Sequence, residues 1–123
     1  MITPVPTLVV DDSQTIRHIV VGHLNTAGFT DIDAVEDGNA ALESLRHKRY
    51  GLLISDWEMP HLGGEELLKT VRQDPKYMKM PIIMITATAS RGSSWLAGAN
   101  AYLQKPFTEA DFTKALRTVF GPR

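Results

Sequence analysis

The chain has 123 residues, the size of one ordinary domain; 43% are hydrophobic and 22% charged, which provides for a buried core and argues against intrinsic disorder. With 13 basic and 14 acidic side chains the formal charge is -1, so there is no bulk attraction to nucleic acid or anionic lipid, and the lack of cysteine removes disulfides, thiolate zinc sites and cysteine nucleophiles. The apolar runs are too short to cross a bilayer and residues 1–6 do not resemble a signal peptide, so the expectation is a soluble, cytoplasmic protein with one domain over 1–123 and an irregular lead-in over 1–6.

In chain order, residues 8–10 are continuously apolar, as a strand covered on both faces must be. A helix follows, with Ser13 as N-cap, Ile16, Ile19, Val20, Leu24 and Ala27 on one face, and Gly28 as the stop. A second strand is expected over 32–35; polar and apolar residues alternate there between acidic ends, which suits a sheet edge. Ala41, Leu42 and Leu45 mark a second helix, 52–54 a third strand, Leu67, Leu68 and Val71 a third helix, and 82–85 a fourth strand. Gly63-Gly64 gives the third helix only a weak cap, and 74–81, with two prolines, reads as a loop. The segment 89–99 is weakly helical, because Gly92, two serines and Gly98 flank Trp95 and Leu96. Residues 101–103 read as a fifth strand. The closing helix begins at Thr108 with Asp111 completing a capping box, runs through Phe112, Leu116 and Val119, and ends at Gly121-Pro122.

Strand and helix therefore alternate, and connections of this length suit right-handed crossovers between parallel strands. The expected class is α/β: a doubly wound, five-stranded parallel sheet. An edge position for the second strand favours the order 2-1-3-4-5.

In such sheets, ligands bind beyond the carboxyl ends of the strands. The first strand runs into Asp11-Asp12, the third into Asp56, the fourth into Thr86 and the fifth into Lys105. Each has an ordinary explanation by itself: a helix cap, a turn, a β-branched strand residue, a surface charge. Their meeting at one end of four strands is the informative feature. Three carboxylates in close approach repel one another unless a cation holds them together, and an oxygen-only set points to a hard divalent ion, with Mg²⁺ the best fit. A lysine and a threonine hydroxyl opposite that ion are suitable donors to phosphate oxygens. The four histidines, His18, His23, His47 and His61, show no metal spacing and are read as helix-surface or loop residues, and Trp57 and Trp95 as packing residues. Neither a Gly-x-Gly-x-x-Gly turn nor a P-loop is present to bind a nucleotide.

The same residues belong to a set of motifs: Val9-Val10-Asp11-Asp12-Ser13, Glu36-Asp37-Gly38, Ser55-Asp56-Trp57-Glu58-Met59-Pro60, Pro81-Ile82-Ile83-Met84-Ile85-Thr86-Ala87 and Tyr102-Leu103-Gln104-Lys105-Pro106-Phe107. From residue 8 to about 120 the sequence resembles a response-regulator receiver domain of the stand-alone chemotaxis type. The resemblance implies a flavodoxin-like fold and a two-component phosphorelay module, with chemotaxis or motility as the setting. Asp56 would be the phosphoacceptor, served by a histidine kinase or a histidine phosphotransfer protein. Asp12 and Asp56 would bind Mg²⁺ directly, Asp11 through water, and Glu58 through its backbone carbonyl. Lys105, Thr86 and backbone N–H groups near Glu58 and Ala87 would hold the phosphoryl group, the Lys105-Pro106 bond would be cis, and Thr86 with Tyr102 would form the switch.

Such a module is a stoichiometric phosphoacceptor that modifies and demodifies itself rather than an enzyme with turnover. It would act through a downstream protein target as a monomer or weak homodimer, with no nucleic acid and no membrane. Two other readings stand beside it. One is a Mg²⁺-dependent phosphatase working through an aspartyl intermediate, although Asp11-Asp12-Ser13-Gln14-Thr15 departs from the Asp-x-Asp-x-Thr signature. The other is a scaffold that binds partners without phosphorylation. The interval from Thr86 to Lys105 is shorter than the family norm by about three residues, a little under one turn, so a shortened fourth helix is expected over 89–99. Glu58, two residues beyond the acceptor, is expected to tune the lifetime of the phosphorylated state or to compete for Lys105 or Mg²⁺.

Overall fold

The computed structural model describes residues 2–87 and 98–121. Its strands are β1 (Thr7–Val10), β2 (Ile32–Val35), β3 (Leu52–Asp56), β4 (Ile82–Thr86) and β5 (Ala101–Gln104). The helices among the described residues are α1 (Gln14–Thr26), α2 (Gly38–His47), α3 (Gly64–Gln73) and α4 (Glu109–Phe120). Every strand pairing is parallel and the order is β2-β1-β3-β4-β5, the doubly wound arrangement expected from the sequence. The alternating second strand takes the edge. The shortened fourth helix expected over 89–99 falls, apart from residues 98 and 99, outside the described residues.

Alternation along the strands divides the core between the two faces of the sheet. Leu8, Val10, Leu53, Ile82 and Met84 pack with Ala41, Leu45, Leu67, Leu68 and Val71 of α2 and α3. Val9, Leu52, Ile54, Ile83, Ile85 and Leu103 pack with Val20 and Leu24 of α1 and with Phe112, Ala115 and Leu116 of α4. The central strands are mainly apolar because both of their faces are covered, and their buried polar residues, Thr7, Ser55, Asp56 and Thr86, stand at or next to the strand ends.

Local signals set the helix boundaries. The Ser13 hydroxyl accepts the Ile16 N–H at 3.3 Å, Asp37 accepts the Ala40 N–H at 2.8 Å, and Thr108 and Asp111 complete a reciprocal capping box. α3 has no side-chain cap at Gly63, as the sequence predicts. Close approach seats it instead. The Gly64 N–H donates to the Trp57 carbonyl at 3.0 Å, and a Cβ at Gly64 would lie 2.5 Å from the Asp56 carbonyl oxygen and 2.6 Å from Trp57 Cα. Only glycine lets this helix begin so near the end of β3.

Arg72 of α3 organises the opposite end of the sheet. Its guanidinium donates to the carbonyls of Gly98, Tyr77 and Met80 and to Asn100 Oδ1, at 2.7–3.0 Å. Asn100 Oδ1 also accepts the Ile82 N–H at 2.9 Å, so one planar cation joins α3 to the chain entering both β4 and β5.

Candidate functional site

Strand register accounts for the gathering of the polar residues. Val9 pairs with Ile54, Ile54 with Ile83, and Ile85 with Leu103, all on the α1/α4 face. Two residues on from Val9, Ile54 and Leu103 stand Asp11, Asp56 and Lys105, which therefore continue that face where the apolar core stops. Thr86 has the opposite parity, with Ile82 and Met84, and closes the other side of the same strand ends. The Lys105 N–H donates to the Thr86 carbonyl at 2.8 Å, and the Lys105-Pro106 bond is cis, as expected.

Asp11 and Asp56 are almost fully buried, whereas Asp12 is exposed. One carboxylate oxygen from each of the three lies within 4.8 Å of the others. Lys105 Nζ stands 3.5 Å from Asp11 Oδ2 and 3.4 Å from Asp56 Oδ1. Those two buried oxygens have no hydrogen-bond partner, so the lysine is an ion-pair neighbour without hydrogen-bond geometry. Asp11 is held from behind: its Oδ1 accepts the Ser13 N–H at 2.9 Å, and Arg17 Nη1 donates to its carbonyl at 2.6 Å.

These positions tilt the charges in one direction. Burial, followed by the Asp11 charge, pushes Asp56 up to about 6 from its ordinary 3.8, with Lys105 opposing. Burial raises Asp11 as well, against the Ser13 N–H and Lys105. Burial lowers Lys105, but the charges of Asp56 and Asp11 more than offset that and hold it above its ordinary value. Buried, orphaned carboxylate oxygens in an all-oxygen set fit a hard divalent cation, which would relieve their repulsion.

Glu58, for which the sequence suggests a part in the lifetime of the phosphorylated state or competition for Lys105 or Mg²⁺, here meets the end of β4: its Oε2 accepts the Thr86 hydroxyl at 2.8 Å and its Oε1 accepts the Ala87 N–H at 3.1 Å. The reason is local. The Trp57 N–H donates to the Ile85 carbonyl at 2.7 Å, prolonging the β3–β4 ladder by one residue and placing Glu58 beside the end of β4. Tyr102 is exposed on β5 with the parity of Thr86, while its neighbour Leu103 is buried. The sequence reading missed Ser13 and Arg17 as supports of Asp11 and Gly64 as the seat beneath Asp56. Of the histidines, His61 is exposed, while the His23 ring stands 5.3 Å from Phe112 and 6.1 Å from Phe107, as a packing residue. Trp57 is half-buried and packs against the α2/α3 core. No helix among the described residues is long and apolar enough to cross a membrane.

Comparison with known proteins agrees with this architecture. The chain is 38% identical over 116 residues to chemotaxis protein CheY-3 of Vibrio cholerae, covering 92% of this chain and 89% of that protein. It superposes on the chemotaxis response regulator CheY4 of Vibrio cholerae with a TM-score of 0.87 at 35% identity, covering 95% of this chain and 99% of that one. It also superposes on the receiver domain of the sensor histidine kinase PA1611 from Pseudomonas aeruginosa, with a TM-score of 0.85 at 28% identity over 98% of this chain and 100% of that one; that structure has a magnesium ion coordinated in its active-site cleft. Residues 7–117 match the family model for the response regulator receiver domain, and with the strand order and the acidic strand ends in place, the chain belongs to that family.

Proposed function

We propose that the chain is the phosphoacceptor of a two-component relay, with Asp56 the residue modified. The observation that carries this reading is the buried pair Asp11 and Asp56, each with an orphaned oxygen turned toward Lys105, beside the exposed Asp12. Asp56 attacks the phosphorus of a phosphohistidine on a kinase or phosphotransfer protein. A P–O bond forms, the P–N bond breaks, and the histidine leaves with its electron pair. Mg²⁺, held by Asp11, Asp12, Asp56 and the backbone carbonyl of Glu58, would neutralise charge on the transferring group. Lys105 pairs with the phosphoryl oxygens in place of the Asp56 carboxylate, and Thr86 Oγ1 and the Ala87 N–H donate to them. The anhydride ends by attack of water, which regenerates the carboxylate and releases phosphate, so the chain returns to its starting state.

Modification replaces one charge on Asp56 with about two and draws the Thr86 hydroxyl toward it. Tyr102, on the same face of the sheet, reports this change to a downstream protein. Chemotaxis or motility is the setting that the relatives support. The test is incubation of intact protein with acetyl phosphate and Mg²⁺, followed by mass measurement at short times. Wild type gains the mass of one phosphoryl group and Asp56→Asn does not; a wild type that never gains it overturns the reading.

A further inference from the structure

The two donors that Thr86 and Ala87 would offer to a phosphoryl group are already turned to an anion. The Glu58 carboxylate takes the Thr86 hydroxyl on one oxygen at 2.8 Å and the Ala87 N–H on the other at 3.1 Å. Two oxygens sharing a negative charge, one to each donor, present the chemistry of two oxygens of a phosphoryl group. Thr86 is buried and Glu58 exposed, so of the two partners the acceptor is the one that can leave for water.

We propose that Glu58 is an internal stand-in for the phosphoryl group, occupying the Thr86 and Ala87 donors in the unmodified chain and yielding them when Asp56 is modified. This rests on Asp56 being the phosphoacceptor. Each bond that these donors make to a phosphoryl oxygen is then matched by one broken to Glu58, so together they stabilise the modified state only weakly.

The probe is beryllofluoride, a phosphoryl mimic, titrated into protein in saturating Mg²⁺ and followed by Trp57 fluorescence in a Trp95→Phe background. Glu58→Ala is expected to bind it about tenfold more tightly, the factor carried by one charge-assisted hydrogen bond near the low end of its range. Glu58→Gln keeps a single acceptor oxygen and is expected to fall between Ala and wild type. Loss of a nearby negative charge would also tighten anion binding, so the cycle is repeated with Thr86→Val. Competition predicts that the gain from Glu58→Ala shrinks when the hydroxyl is gone; a gain kept in full there assigns the effect to charge alone and overturns the proposal. In metal-free protein, the Ala87 amide proton is expected to move upfield in Glu58→Ala, and an unmoved resonance would also overturn it. If wild type binds beryllofluoride and Glu58→Ala binds no more tightly, only the stand-in falls. If no variant binds it, the phosphoacceptor reading falls as well.

Discussion

Replacing Asp56 with asparagine should make the metal-free protein more stable. The Asp56 carboxyl is pushed up to about 6 in the folded chain, by burial first and the Asp11 charge second, against an ordinary 3.8. A carboxyl that holds its proton more tightly folded than unfolded opposes folding once it ionises. Its penalty is absent near pH 4 and below, grows as pH rises through 4 to 6, and is complete above 6. Two pH units of separation correspond to about 3 kcal/mol at pH 7.5. Asparagine keeps a buried polar group, so the net gain is about 1–3 kcal/mol, or an increase in urea midpoint of about 1 M. The assay is urea unfolding followed by circular dichroism in EDTA at pH 7.5 and 4.5. The advantage of the variant should be about 2 kcal/mol smaller at the lower pH than at the higher, where the penalty is complete. Adding Mg²⁺ should raise the midpoint of wild type and leave Asp56→Asn nearly unmoved. A variant no more stable than wild type at pH 7.5, or an advantage as large at pH 4.5 as at pH 7.5, would refute the electrostatic account.

Gly64→Ala should destabilise the protein by about 1–3 kcal/mol despite the better helix propensity of alanine, because the new Cβ meets backbone rather than a side chain that can turn aside. Chemical denaturation measures this, and a neutral or stabilising outcome would mean that α3 does not start against the end of β3. Arg72→Ala should cost about 2–4 kcal/mol, since it strands carbonyls on two connections; Arg72→Lys should recover little of that, as an ammonium cannot fork to them. Thermal melts in which either variant unfolds like wild type would exclude the clasp.

The sheet and the gathering of Asp11, Asp12, Asp56, Thr86 and Lys105 were legible because both follow from period-two patterning. Continuous apolar runs mark strands buried on two faces, and a polar residue just past such a run sits at a sheet edge by geometry alone. Caps were legible at Ser13 and Thr108 for the same local reason. The partners of Glu58 were not, because an exposed glutamate in a loop has many rotamers and its sequence position names no donor. Nor was the Arg72 web, three of whose bonds run to backbone carbonyls, which carry no residue-type signal, and whose fourth reaches Asn100, 28 residues away. The function of Gly64 is only half legible: Gly63-Gly64 reads as a weak cap, whereas the second glycine is a contact surface.

The Arg72 clasp grips the rim of the sheet opposite the acidic cleft. With the entrances to β4 and β5 fastened by one guanidinium, the two strands are anchored at their amino ends and carry Thr86 and Lys105 at their carboxyl ends. A displacement imposed at those carboxyl ends would therefore act on two strands that share a single anchor point at the far rim.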